Sequence, residues 1–161
     1  MTRKNLTSFA ATGLLAALAG CYSFSGGTLA FKSIGVPVAG NLTAEYRAAD
    51  AVTRSMIAAL TRDGRMRVVE PAAAESRLQI DITGYSRQPF QYDRREVVSQ
   101  YKVTITARAV HQGAGDKVAW RADSISVWSA YAADSETEAA GIEKAASNLA
   151  AEIMRQAFET W

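Results

Sequence analysis

The chain is short of the residues from which reactive centres are built. Its 161 residues include one histidine, His111, and one cysteine, Cys21. Zinc and catalytic centres need His, Cys and carboxylates in clusters, and no Ser/His/Asp set forms around His111 without drawing on scattered carboxylates. The phosphate-cradling Gly-x-x-x-x-Gly-Lys-Ser/Thr, the dinucleotide-binding Gly-x-Gly-x-x-Gly and the zinc-binding His-Glu-x-x-His are all missing. A lone thiol excludes an internal disulfide. Beyond Ala19 no apolar run reaches the ~20 residues of a membrane-spanning helix. There is no internal repeat and no low-complexity tract. These absences argue against an enzyme and give no reason to expect a cofactor or a metal. His111, beside a hairpin loop, is read as a solvated loop residue. Glu136 and Glu138, which look like a carboxylate pair, are read as helix-capping.

What is present begins with a short positive start, Arg3 and Lys4, followed by the uncharged run Leu6 to Ala19. This is the n-region and h-region of a secretory signal peptide. It closes on Leu18-Ala19-Gly20-Cys21, which resembles the lipobox of bacterial lipoproteins. That resemblance implies cleavage before Cys21 and acylation (palmitate among the chains) of its sulfur and new amino group. Each buried methylene adds about 0.8 kcal/mol, and several chains anchor firmly where one does not. Tyr22 after the cysteine, where an Asp would signal retention, implies sorting to the outer membrane. The expected organisation is a signal peptide over 1–20, a lipidated tether over 21–30 and one domain over 31–161. Loss of Arg3 and Lys4 from the 18 Lys+Arg leaves them equal in number to the 16 Asp+Glu. The mature protein is therefore neutral, and nucleic acid is not an expected partner.

Within the domain, Lys32 to Val38 reads as a first strand with Ile34, Val36 and Val38 on one face; Pro37 makes it an edge strand or marks its end. Gly40-Asn41 is expected to turn the chain and Thr43 to cap a helix over 44–62. That helix carries Ala49, Val52, Met56, Ile57 and Leu60 at helical spacing and stops at Asp63-Gly64. Met66 to Glu70 is a short strand ended by Pro71, and a loose helical turn follows. Leu78, Ile80 and Ile82 alternate with Gln79, Asp81 and Thr83, as do Tyr101 to Ala109 with Lys102 to Arg108, the mark of a sheet with one wet face. Between them Ser86 to Arg95 breaks at Pro89 and is read as a loop or distorted strand end. Gln112 to Asp116 is a hairpin loop. The strand from Lys117 to Trp128 changes parity midway, which a bulge near Asp123-Ser124 would reconcile; cover on both faces is the alternative. Ser135 and Glu138 match a capping box before a helix whose apolar stripe runs from Ile142 to Trp161. The predicted fold is an α+β two-layer sandwich: a four- to five-stranded, mostly antiparallel mixed sheet with two helices on one face.

The candidate site is a surface. Arg87, Phe90, Tyr92, Arg94 and Arg95 lie within nine residues at the end of a hairpin. Arginine forks suit phosphate and carboxylate, and aromatics anchor protein partners. Trp128 and Tyr131 are candidate extensions of that surface, with core packing an equal alternative for Trp128.

Several stretches together resemble the LptE family of lipopolysaccharide-assembly lipoproteins: the lipobox with Tyr22-Ser-Phe, Leu60 to Val69, Thr83 to Asp93, Tyr101 to Ile105, Val118-Ala-Trp120, and the final helix. The resemblance implies a non-enzymatic protein held by its lipid on the periplasmic face of the outer membrane. It also implies two partners, an LptD-type β-barrel that the protein helps assemble and plugs, and lipopolysaccharide in transit. The strand–helix–strand opening is also similar to other envelope lipoproteins, including curli-secretion-type proteins that oligomerise into pores, which keeps an oligomeric scaffold as the alternative.

Overall fold

The structure, a computed structural model, describes residues 31–158. Cys21, the expected signal peptide and tether, and Trp161 lie outside the described residues. Six strands and two helices follow in the order β1 (Ser33–Gly35), β2 (Gly40–Asn41), α1 (Arg47–Asp63), β3 (Arg67–Val68), β4 (Ser76–Tyr92), β5 (Val98–Gln112), β6 (Val118–Ala132) and α2 (Glu138–Phe158). All six strands form one sheet, ordered β3-β1-β4-β5-β6, with β2 also paired to β4. The β4–β5–β6 meander is antiparallel, and β1, β2 and β3 join in parallel.

The alternation along β4 and β5 does what its period demands. Leu78, Ile80, Ile82, Val103, Ile105, Ala107 and Ala109 are buried, on the face that both helices cover. From α1 come Ala48, Ala51, Val52, Met56 and Leu60, and from α2 Ile142, Ala145, Ala146, Leu149, Ala150, Ile153, Met154 and Phe158, all in one core. Each fully buried Leu or Ile contributes about 1.5–3 kcal/mol, so the i, i+3, i+4 stripe decides which way each helix lies. The expected bulge is present: Ala107 pairs with Ile125 but Ala109 with Ala122, leaving one extra residue on β6 at Asp123-Ser124. It lets Trp120 and Ala122 on one side, and Ile125, Val127 and Tyr131 on the other, share the core-facing side.

Other expectations are corrected. Pro37 ends β1 early, and β1 lies between β3 and β4 instead of at an edge. Val38 is 68% exposed. Gly40-Asn41 is a two-residue strand against Asp81-Ile82, where a Cβ on Gly40 would come within 2.2 Å of Asp81 Oδ1. Helix α1 starts at Arg47, its backbone N–H donating to the Glu45 carboxylate at 3.1 Å, while Thr43 Oγ1 accepts from Glu45 N–H. Gly64 closes it as expected, left-handed at φ 71° and donating to Leu60 O. The segment after Ser86 remains strand as far as Tyr92.

His111 is not solvated. It is 5% exposed, packed edge-on between Phe31 and Phe158 at ring distances of 5.5 and 5.3 Å, and its Nε2 has no hydrogen-bond partner. Burial alone pushes its pKa down, so it is held neutral.

Candidate functional site

Beyond Ile82 the long hairpin changes character. A register shift at Gly84 and two more around Gln91 loosen the β4–β5 pairing toward the tip. Pro89 is accommodated because the next residue, Phe90, is the unpaired one of a local bulge between Pro89–Tyr101 and Gln91–Gln100. The turn itself is built by Asp93. Its Oδ1 accepts the N–H groups of Arg95 and Val97 at 2.8 and 2.9 Å, its own N–H donates to Val97 O, and Glu96 sits at φ 61°. Arg94 and Arg95 are thereby held out in solvent at the extreme end.

The strand parity divides the predicted residues between two faces. Arg87 points to the helix side, opposite Val103. Its guanidinium lies 3.7 Å from the centroid of the Tyr101 ring, its Nε donates to Tyr131 Oη at 2.6 Å, and Glu138 Oε2 is 3.8 Å away. Tyr101 stacks on Tyr131 at 5.6 Å. Tyr85 Oη donates to Glu138 Oε1 at 2.6 Å, and burial, followed by that bond, pushes the phenol's pKa up, so it stays a donor. The Tyr131 hydrogen bond likewise raises the Arg87 pKa. Arg87 is therefore a fastener between the hairpin and the start of α2.

Glu138 is available for this because the expected capping box does not form. Thr137 caps α2, its Oγ1 accepting from Ala140 N–H at 3.3 Å. Ser135 donates instead to Asp134, and Glu136 accepts from Ala132 N–H and Lys144 Nζ. The two glutamates are thus pulled apart into separate jobs.

On the opposite, helix-free face Phe90 packs against Trp128 at 5.5 Å, and Lys102 Nζ lies 5.2 Å from the Trp128 ring centroid. Tyr92 and Val97 are each 60% exposed, Trp128 49% and Phe90 41%. Phe90, Trp128 and Lys102 thus form one aromatic and basic patch on this face, and Tyr92, Arg94, Arg95 and Val97 are exposed at the tip of the hairpin. Trp128 belongs to this surface, whereas Tyr131, at 3% exposure, belongs to the core. Lys102 was not singled out from the sequence; its signal was its outward parity, two residues from Thr104, which pairs with Trp128. Val38, Leu42 and Tyr46, all strongly exposed, lie on the segment leading into α1. Among the described residues no group of His, Cys and carboxylates could hold a metal. The tip region thus presents exposed aromatic rings together with exposed arginines.

A family model described as lipopolysaccharide-assembly, LptE, matches residues 31–157. The chain belongs to the LptE family. Membership makes it a lipoprotein of lipopolysaccharide assembly in the cell envelope, from a family that is not enzymatic. The fold recurs in solved structures at low identity. A hypothetical protein of Chlamydia trachomatis superposes with TM-score 0.54 at 7% identity, over 81% of this chain and 100% of the other. A minor lipoprotein of Acinetobacter baumannii gives 0.50 at 13%, over 80% and 92%. The PelC dodecamer of Paraburkholderia phytofirmans gives 0.50 at 15%, over 77% and 87%. At such identities the likeness is one of fold. No curated protein matches the sequence. Among the described residues no helix is long and apolar enough to cross a membrane.

Proposed function

We propose that this LptE-family protein is the lipid-anchored partner of an LptD-type β-barrel in the outer-membrane lipopolysaccharide translocon. Residues 1–20 are removed, Cys21 is acylated, residues 21–30 form the tether, and the domain from residue 31 onward plugs the barrel and meets lipopolysaccharide as it passes. The family match carries this reading. The layout of the domain supports it. Phe31, where the tether joins, packs at the His111 end of β5, while the aromatic and basic tip lies at the Val98 end, roughly 40 Å away at the usual rise per residue of a strand. An anchor at one end and a contact surface at the other suit a body that reaches away from its membrane leaflet into a larger partner.

In that complex Phe90, Tyr92 and Trp128 supply apolar anchors, and Arg94, Arg95 and Lys102 face the phosphates and carboxylates of the glycolipid or the barrel wall. Arg87, tied into the tyrosine cluster, positions the tip. The test is co-purification from outer membrane of a barrel with the wild type and with Phe90→Ala/Arg94→Ala/Arg95→Ala, alongside lipopolysaccharide capture. Loss of either, with an unchanged circular dichroism spectrum, is the expected result; unchanged binding of both would show the tip to be inert. Mass spectrometry of the mature amino terminus tests Cys21 separately.

A second reading, a multi-copy envelope scaffold, rests on the shared fold with a protein crystallised as a dodecamer. The mass of the detergent-solubilised protein separates the two, a ring of many copies favouring the scaffold.

A further inference from the structure

The two edges of the sheet are treated very differently. On one side β3 is two residues long and offers almost no template. On the other, β6 runs for 15 residues. Exposed edges in monomers are usually blunted by lysine, proline, bulges or shortness, because a row of unpaired N–H and C=O groups invites another strand. The bulge of β6 lies upstream, at Asp123-Ser124. After it, Ile125-Ser-Val-Trp-Ser-Ala-Tyr-Ala132 contains no charge, no proline and no glycine. Such a segment has the composition of a pairing strand.

Which backbone groups face the open edge follows from the ladder. Ala133 N–H donates to Ser99 O, so the odd-numbered residues of this stretch bond β5. The even-numbered ones turn outward, and two of them are met by the protein's own side chains. Asn148 Nδ2 donates to Trp128 O at 2.9 Å, and Ala132 N–H donates to Glu136 Oε2 at 2.8 Å. The same parity aims the N–H and C=O of Ser126 and Ala130, and the N–H of Trp128, away from β5. Beside them a groove of about 470 Å³ runs between the edge and α2, lined by Ser124 to Trp128 with Asn148, Glu152 and Gln156.

We infer that this edge pairs with the same edge of a second copy, β6 against β6 and antiparallel about Val127, to form a closed two-fold dimer. The segment is complementary to itself in three respects. A two-fold axis at Val127 sets outward-facing Ser126 opposite the partner copy's Trp128 and the reverse, so outward donors and acceptors oppose one another in hydrogen-bonding register. It sets Val127 against Val127 on the helix side, where this side chain is only half-buried in one copy and β-branched pairs pack well. Finally, no charge in the segment meets its own image. A closed barrel wall offers no free edge to compete for this strand, so the pairing belongs to the protein outside a barrel complex.

The test is sedimentation of the detergent-solubilised full chain over a concentration series, for the wild type, Ser126→Lys and Ala130→Pro. Lysine at 126 places a charge beside its own image, and proline at 130 deletes an outward N–H that the fold does not use. A wild-type mass of two protein copies, reduced to one in both variants with an unchanged melting curve, is the expected outcome. A wild type that stays monomeric, a dimer that survives both substitutions, or a ring of many copies would each overturn it. Barrel co-purification is scored separately, so the dimer can fail while the translocon reading stands, and the reverse.

Discussion

Replacing Gly141 with alanine sets two effects of known size against each other. Gly141 lies in the first turns of α2, directly over the Tyr131 ring, and a Cβ there would come within 2.5 Å of Tyr131 Cδ1 and 3.1 Å of Cε1. Alanine in a helix is better than glycine by about 0.5–1 kcal/mol. Forcing a methyl into a packed site costs about 1–3 kcal/mol. The ring cannot yield cheaply, because Tyr131 is 3% exposed, stacked on Tyr101 and bonded to Arg87. The clash therefore wins, and Gly141→Ala is expected to destabilise by about 1–2 kcal/mol. Urea unfolding followed by circular dichroism measures this. A second background sharpens the test. In Tyr131→Ala the obstructing ring atoms are gone, so Gly141→Ala should become stabilising by roughly 0.5 kcal/mol or more. A change of sign between backgrounds is the signature of a direct contact. The same value in both would refute the close approach of α2 to Tyr131, and with it the way the hairpin is fastened.

Three further outcomes follow from the same contacts. His111 is buried and neutral with its pKa below the ordinary value; the unfolded chain, titrating near 6.5, binds the extra proton, so stability is complete above that pH and falls as pH drops below it, by up to about 1.4 kcal/mol per unit. His111→Phe should remove that part of the acid sensitivity in melts between pH 7.5 and 5, and an unchanged pH profile would show His111 not to be its source. Deleting Ser124 removes the extra residue and leaves Ala122 and Ile125 in plain alternation on the core side with their β5 partners unchanged, so a near-native urea midpoint is expected; a loss of several kcal/mol would contradict the pairing of Ala107 with Ile125. Arg87→Lys exchanges a planar group stacked on Tyr101 for a compact ammonium and should cost about 0.5–1 kcal/mol, read from the same denaturation curve, with no change implying that the cluster adds no stability.

Much of the fold was legible because it rests on periodicity. Leu78-Ile80-Ile82 and the stripe of α2 each have one apolar side, and burying it leaves little choice of orientation. The β6 bulge was legible for the same reason, since only an extra residue lets Trp120 and Ile125 face one core. What escaped depended on partners far along the chain. The environment of His111 is made by Phe31 and Phe158, 80 and 47 residues away, and a neighbouring loop was a misleading guide. Glu138 read as a capping residue because Ser135 stands three before it, yet Tyr85 and Arg87 on another strand claim its carboxylate. The candidate site suffered in the same way. Five residues close in sequence suggest one surface, yet strand parity sends Arg87 to one face and Phe90 to the other.

At the far corner of the molecule, Phe31 presses so close to Gly113 that any side chain there would place its Cβ 2.3 Å from Phe31 Cζ. That contact works as a rivet. In the proposed tethered protein, tension arriving at Phe31 meets the ring lodged against His111 and Phe158 before it reaches the first strand, so the domain should swing as a block and not peel from its beginning. Enlarging residue 113 should therefore loosen the point of attachment while the helices and the meander keep their melting behaviour.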